Sequence, residues 1–136
     1  MDSLQIKTGL VRIEILDDAG ESRGIFKFNP EDVQAAQRFF NIQEEFIEKH
    51  AEFDKRAKEA QTVESELELL NEIVDYNEQL IDECFGEGTS ELLFGDNKTL
   101  SMFEDFFEGI TPYYKKASEE RKAKYRKPTK NKKSGK

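Results

Sequence analysis

Residues 94–116, Phe94-Gly-Asp-Asn-Lys-Thr-Leu-Ser-Met-Phe-Glu-Asp-Phe-Phe-Glu-Gly-Ile-Thr-Pro-Tyr-Tyr-Lys-Lys, constrain the fold more than any other stretch, because their large apolar side chains must be covered by something. Leu100, Phe103, Phe107, Ile110 and Tyr114 recur at three- and four-residue steps, which is one face of a helix. Met102, Phe106 and Tyr113 widen that face into a broad arc. Asp96, preceded by Gly95, is the expected N-cap. Gly109 and Pro112 are expected to bend or break the helix, since Pro112 cannot donate to the carbonyl of Glu108 and its ring crowds it. Thr111 would then cap a second helix with Pro112 at its first position. Two readings stay open for the arc. It is core, or its excess over what a small core buries meets a partner protein. The candidate partner-binding residues are Met102, Phe103, Phe106, Phe107, Ile110, Tyr113 and Tyr114, joined by Phe39 and Phe46 from an earlier helix. Met102, Phe106 and Tyr113 are the expected outer positions.

The rest of the chain must supply the cover. Residues 4–16 read as extended: Val11, Ile13 and Ile15 alternate with Arg12 and Glu14, while Leu4 and Ile6 alternate on the other parity, so Gly9 marks a bulge or bend. Asp17 to Gly24 is a polar turn, and Ile25-Phe-Lys-Phe returns with Phe26 and Phe28 on one face, giving a β-hairpin. Asn29-Pro30-Glu31-Asp32 predicts a helix start with Asn29 as cap. The helix after it has two apolar faces, one with Val33, Ala36, Phe40, Ile47 and Ala51, the other with Ala35, Phe39, Ile42, Phe46 and Phe53. Together they cover about half of a helical wheel, so this helix needs more than one neighbour. From Glu52 to Glu66 the apolar content thins. Either one long helix continues or a turn falls near Gln61-Thr62, and a capping box over Ser65-Glu-Leu-Glu68 favours a new helix. Leu67, Leu70, Val74, Ile81 and Phe85 form its stripe, and Gly86 ends it. The fold class expected is α+β, mostly helical: a hairpin followed by about four helices. A single domain is expected over residues 1–127, with a disordered basic tail over 128–136 whose composition contains no apolar residue.

Charged residues make up 37% of the 136-residue chain and hydrophobic ones 36%, so the core must come from few, large side chains, among them 11 phenylalanines. No run is long and apolar enough to span a membrane, and the first residues lack a signal-peptide pattern, so a cytoplasmic protein is expected. The single Cys84 agrees with a reducing compartment. The net charge of −8 is uneven. Lys115 to Lys136 hold 11 Lys/Arg against Glu119 and Glu120, about +9, which leaves 10 Lys/Arg against 27 Asp/Glu, about −17, for the remainder. An acidic body argues against nucleic-acid binding. There is no nucleophile–base pair, phosphate-cradling glycine loop or metal-ligand cluster, so neither an enzyme nor a cofactor is expected. His50 has no Cys or second His to join it at ligand spacing. The open edge of the hairpin and the wide apolar arcs point to self-association.

Phe94-Gly-Asp-Asn, then Leu100-Ser-Met-Phe, then Phe106-Phe-Glu-Gly-Ile-Thr-Pro-Tyr and a Lys/Arg/Glu helix resemble the C-terminal half of tail assembly chaperones from long-tailed (siphovirus-type) phages and prophages of Gram-positive bacteria. Ile25-Phe-Lys-Phe-Asn-Pro-Glu-Asp-Val with Arg38-Phe-Phe resembles their other half. The resemblance spans most of residues 4–127 and is thin over about 52–66. It carries no catalytic residue. It implies a small helical protein, absent from the mature virion, that binds the tape measure protein and keeps it soluble in the host cytoplasm while the tail tube assembles. Such chaperones are commonly made in two lengths, and the resemblance implies that this chain is the short one. A longer frameshifted form would engage the tail tube protein through a second domain joined by the basic tail. The alternative reading, from a different class, is an acidic inhibitor that mimics nucleic acid to occupy a host enzyme. It would need the acids on one continuous face.

Overall fold

The structure, a computed structural model, describes the backbone of residues 1–134 and the side chains of residues 1–125; of the tail over 128–136, expected to be disordered, residues 128–134 continue the last helix and residues 135–136 lie outside the described residues. The architecture is α+β and mostly helical, a two-stranded antiparallel hairpin followed by four helices. Strand β1 is Val11–Leu16 and strand β2 is Ser22–Phe28, with Val11 opposite Phe28 and Ile13 opposite Phe26. The period-two pattern is realised: Val11, Ile13 and Ile15 are half-buried, Arg12 and Glu14 are exposed, and Phe26 and Phe28 are buried. The loop closes on Asp17, whose carboxylate accepts from the backbone N–H of Ala19 and of Glu21, both at 2.9 Å. Gly20 takes the positive φ of 81° that this tight loop requires. Residues before Val11 are not in a strand.

Helix α1, Val33–Ala57, begins three residues later than Asn29 predicts. Asp32 is the cap and accepts from the N–H of Ala35 at 3.0 Å. The Asn29 side chain instead accepts from Glu31 N–H and donates to the carbonyl of Thr8, so it fastens the incoming chain. A turn separates α1 from α2, Val63–Phe85, where the thinning of apolar residues suggested it. The cap is Thr62, with Ser65 as the reciprocal member of the capping box, so Ser65 stands inside the first turn and not ahead of it. Gly86 ends α2 as expected. Helices α1 and α2 lie antiparallel: Tyr76 Oη donates to Glu45 Oε1 at 3.0 Å, and Arg56 meets Glu72 at 3.4 Å near the turn.

Helix α3, Thr89–Phe94, is a single short element docked on α2 by Ser90, whose N–H reaches Asp82 Oδ1 and whose hydroxyl reaches the carbonyl of Glu78, each at 2.8 Å. Arg23 of β2 donates to the carbonyls of Leu92 and Glu91 and so caps the end of α3. Gly24 holds a φ of 129°, which favours glycine, and a Cβ there would fall 2.9 Å from Leu92 Cδ1 and displace that side chain.

Helix α4, Ser101–Ser134, corrects two expectations. It starts after Asp96; the side chain of Thr99 accepts from Met102 N–H at its entry. It also runs unbroken through Gly109 and Pro112. Thr111 does not cap a second helix; its hydroxyl donates back to the Phe107 carbonyl at 2.6 Å. Burial on α4 outweighs the local cost of these residues. Phe103, Ile110 and Tyr114 are buried on either side of them, and each buried large side chain contributes about 2–3 kcal/mol.

The core is a phenylalanine cluster enclosed by α1, α2, α4 and the hairpin. Phe26 packs against Phe85 and Phe106 with ring centroids 5.2 and 5.8 Å apart. Phe28 packs against Tyr113 and Tyr114. Phe39 stacks on Tyr114 at 4.2 Å with rings 5° from parallel, and Phe46 meets Phe107 at 5.1 Å. Arg121 of α4 donates to the carbonyls of Pro30 and Glu31, fixing α4 antiparallel to α1.

Candidate functional site

The aromatic arc of α4 was the candidate partner surface, and the structure puts most of it inside. Phe103, Phe106, Phe107, Ile110 and Tyr114 are buried, as are Phe39 and Phe46 of α1. Phe106, expected to be an outer position, is only 8% exposed because Phe26, Phe85 and Phe94 surround it. These seven residues therefore belong to the core, and of them Phe46 and Phe107 also reach the lining of a groove between α1 and α4. Of the nine candidates, Met102 is half-buried and Tyr113 is 38% exposed, with its ring edge on Phe28. The arc was wide because it has two neighbours, α1 on one side and the hairpin on the other.

What the packing leaves open is a groove of about 610 Å³ between α1 and α4. Phe46 and Phe107 lie in its lining, and Ile47, 60% exposed, stands on the α1 lip. It belongs to the second apolar face of α1, on which Val33 and Phe40 are also exposed. The α4 lip is formed by Glu104, Glu108, Pro112, Lys115 and Lys116. The two walls are tied across the groove: Gln43 Nε2 of α1 donates to Thr111 Oγ1 at 3.2 Å, and that hydroxyl donates on to Phe107 O. His50 Nδ1 stands 3.8 Å from Glu104 Oε2 and its ring packs edgewise on Phe46.

The sequence held the signal for Ile47 without assigning it. Two apolar faces on α1 imply more than one neighbour; α2 and α4 pack on the helix and bury Phe39, Ile42 and Phe46, while Val33, Phe40 and Ile47 stay exposed. A groove with apolar lining and charged lips can hold an amphipathic segment. Elsewhere, burial pushes the Cys84 thiol up to about 11, opposed in part by the Arg38 guanidinium, which favours the protonated thiol near neutral pH. Burial likewise raises the Tyr114 phenol above its ordinary value. Among the described residues no group of three or more His, Cys, Asp or Glu is arranged to hold a metal ion, and no helix is long and apolar enough to cross a membrane.

A family model described as a family of unknown function (DUF6673) matches residues 24–136, which takes in most of β2 and all four helices. No curated protein and no solved structure matches the chain.

Proposed function

The chain belongs to that family of unknown function, and we propose that it is a tail assembly chaperone of siphovirus-type phages and prophages, which binds the tape measure protein and keeps it soluble while the tail tube is built. The observation that carries this reading is the α1–α4 groove, whose apolar lining and charged lips suit an amphipathic helical segment of a client. The sequence motifs that resemble the chaperones bear on the same feature: Phe106-Phe-Glu-Gly-Ile-Thr-Pro-Tyr contributes Phe107, Glu108, Thr111 and Pro112 to it. Apolar side chains left exposed on the hairpin and α1, among them Leu16, Ile25, Val33 and Phe40, support self-association when no client is bound. A longer frameshifted product would carry the contact to the tail tube protein.

The test is co-expression with the tape measure protein of the same genome. Ile47→Glu sets a charge on the groove lip at a position already exposed, so the fold should persist while soluble tape measure protein falls several-fold. Val63→Glu, at a 70% exposed position outside the groove lining, is the control and should leave solubility unchanged. Equal solubility with wild type and Ile47→Glu would remove the groove from the proposal.

A further inference from the structure

We infer that the α1–α4 groove selects its occupant by charge polarity: the partner segment is an amphipathic helix with basic side chains at one end and acidic side chains at the other. The inference rests on the groove being the client site and adds the chemistry of what it takes. Along the α4 lip the charges are segregated. Glu104 and Glu108 precede Pro112, and Lys115 and Lys116 follow it. The α1 lip does not offset them, since it contributes Gln43, Phe46 and Ile47. All four charged residues are exposed. Among the described residues Glu108, Lys115 and Lys116 enter no ion pair, and Glu104 faces only His50. Glu119 lines the basic end as well and tempers it, leaving two ammonium groups against one carboxylate there.

The spacing sets the occupant's register. Glu104 and Lys116 are separated by about 18 Å along the helix and Glu108 and Lys115 by about 10 Å. A helix lying along the groove must therefore carry its own charged groups about 7 to 12 residues apart, with apolar anchors between them over Phe46, Ile47 and Phe107. The two ends are at or beyond one screening length at about 0.1 M salt, so each recognises its counter-charge separately. Solvated lip pairs each change affinity about twofold to fivefold, so polarity acts as discrimination laid over an apolar affinity.

The probes are synthetic 18-residue amphipathic peptides of one composition, compared at matched helicity by fluorescence anisotropy with the full chain. In two of them the charges are polarised, lysine-first in one and glutamate-first in the other; in the third the charges are interspersed. The better polarised peptide should bind at least about fivefold tighter than the interspersed one at low salt, with the ratio approaching one at about 0.5 M salt. Lys115→Glu/Lys116→Glu should abolish the preference without changing the circular dichroism spectrum. Equal binding of all three peptides, still weakened by Ile47→Glu, would overturn the polarity and leave the groove as the client site. Absence of saturable binding, or binding indifferent to Ile47→Glu, would overturn the groove itself and this inference with it.

Discussion

Replacing Asn77 with leucine should make the protein more stable. Asn77 lies on the same face of α2 as Val74, Leu80 and Ile81, is 2% exposed, and neither Nδ2 nor Oδ1 pairs with another protein group. An amide buried without partners costs about 1–3 kcal/mol in desolvation. Leucine removes that cost and gains a few tenths of a kcal/mol in helix propensity. Leucine has the same branching at Cγ but is larger, since two methyl groups replace the amide oxygen and nitrogen, and fitting that volume returns a packing cost of about 1 kcal/mol. The expected net effect of Asn77→Leu is a gain of about 1 kcal/mol, or about 3–5 °C in melting temperature for a chain of this length. Asn77→Asp should do the opposite, since it buries a charge with nothing to compensate it. Urea unfolding followed at 222 nm, with an unchanged slope, measures both. A loss of more than about 1 kcal/mol for Asn77→Leu would refute the reasoning, because it would mean that the amide is satisfied in solution.

Phe39→Ala should cost about 3–5 kcal/mol, since the ring is fully buried and stacked on Tyr114, whereas Phe40→Ala, at a 39% exposed position, should cost about 1 kcal/mol or less; similar losses in urea unfolding would refute the orientation of α1. Gly109→Ala should stabilise by about 0.5–1 kcal/mol, because Gly109 is inside α4 and a Cβ there meets nothing within 4 Å. A lower melting temperature for Gly109→Ala would mean that α4 is not a continuous helix at that point.

The hairpin was legible because its pattern is local: Val11, Ile13 and Ile15 alternate with charges, and Phe26 and Phe28 share one face whatever they pack on. The helices were legible too, but their starts were displaced. Asn29, Ser65 and Asp96 are all good capping residues, yet the caps or entry bonds belong to Asp32, Thr62 and Thr99. Composition shows which residues can accept an N–H; only the backbone path shows which one is aimed at it. The burial of the candidate partner residues was not legible for a different reason. Phe106 and Phe107 are adjacent, and on a helix with one neighbour they could not both be buried. They are both buried because α4 has the hairpin with Phe85 and Phe94 on one side and α1 on the other, a fact of tertiary arrangement that periodicity does not contain.

The same arrangement explains why a proline stands in the groove. Within a helix, proline forfeits one backbone hydrogen bond and costs about 3 kcal/mol, and glycine costs about 1 kcal/mol against alanine. Helix α4 carries both within four residues and continues, because the side chains buried before and after them hold its two halves to one core. Thr111, between them, reinforces the join from the α4 side by returning its hydroxyl to Phe107, and from the α1 side by accepting from Gln43. Pro112 separates the acidic part of the lip from the basic part and adds apolar surface between them without a charge. Residues that read in the sequence as a helix break thus form, once α1 is packed alongside, the middle of the α1–α4 groove.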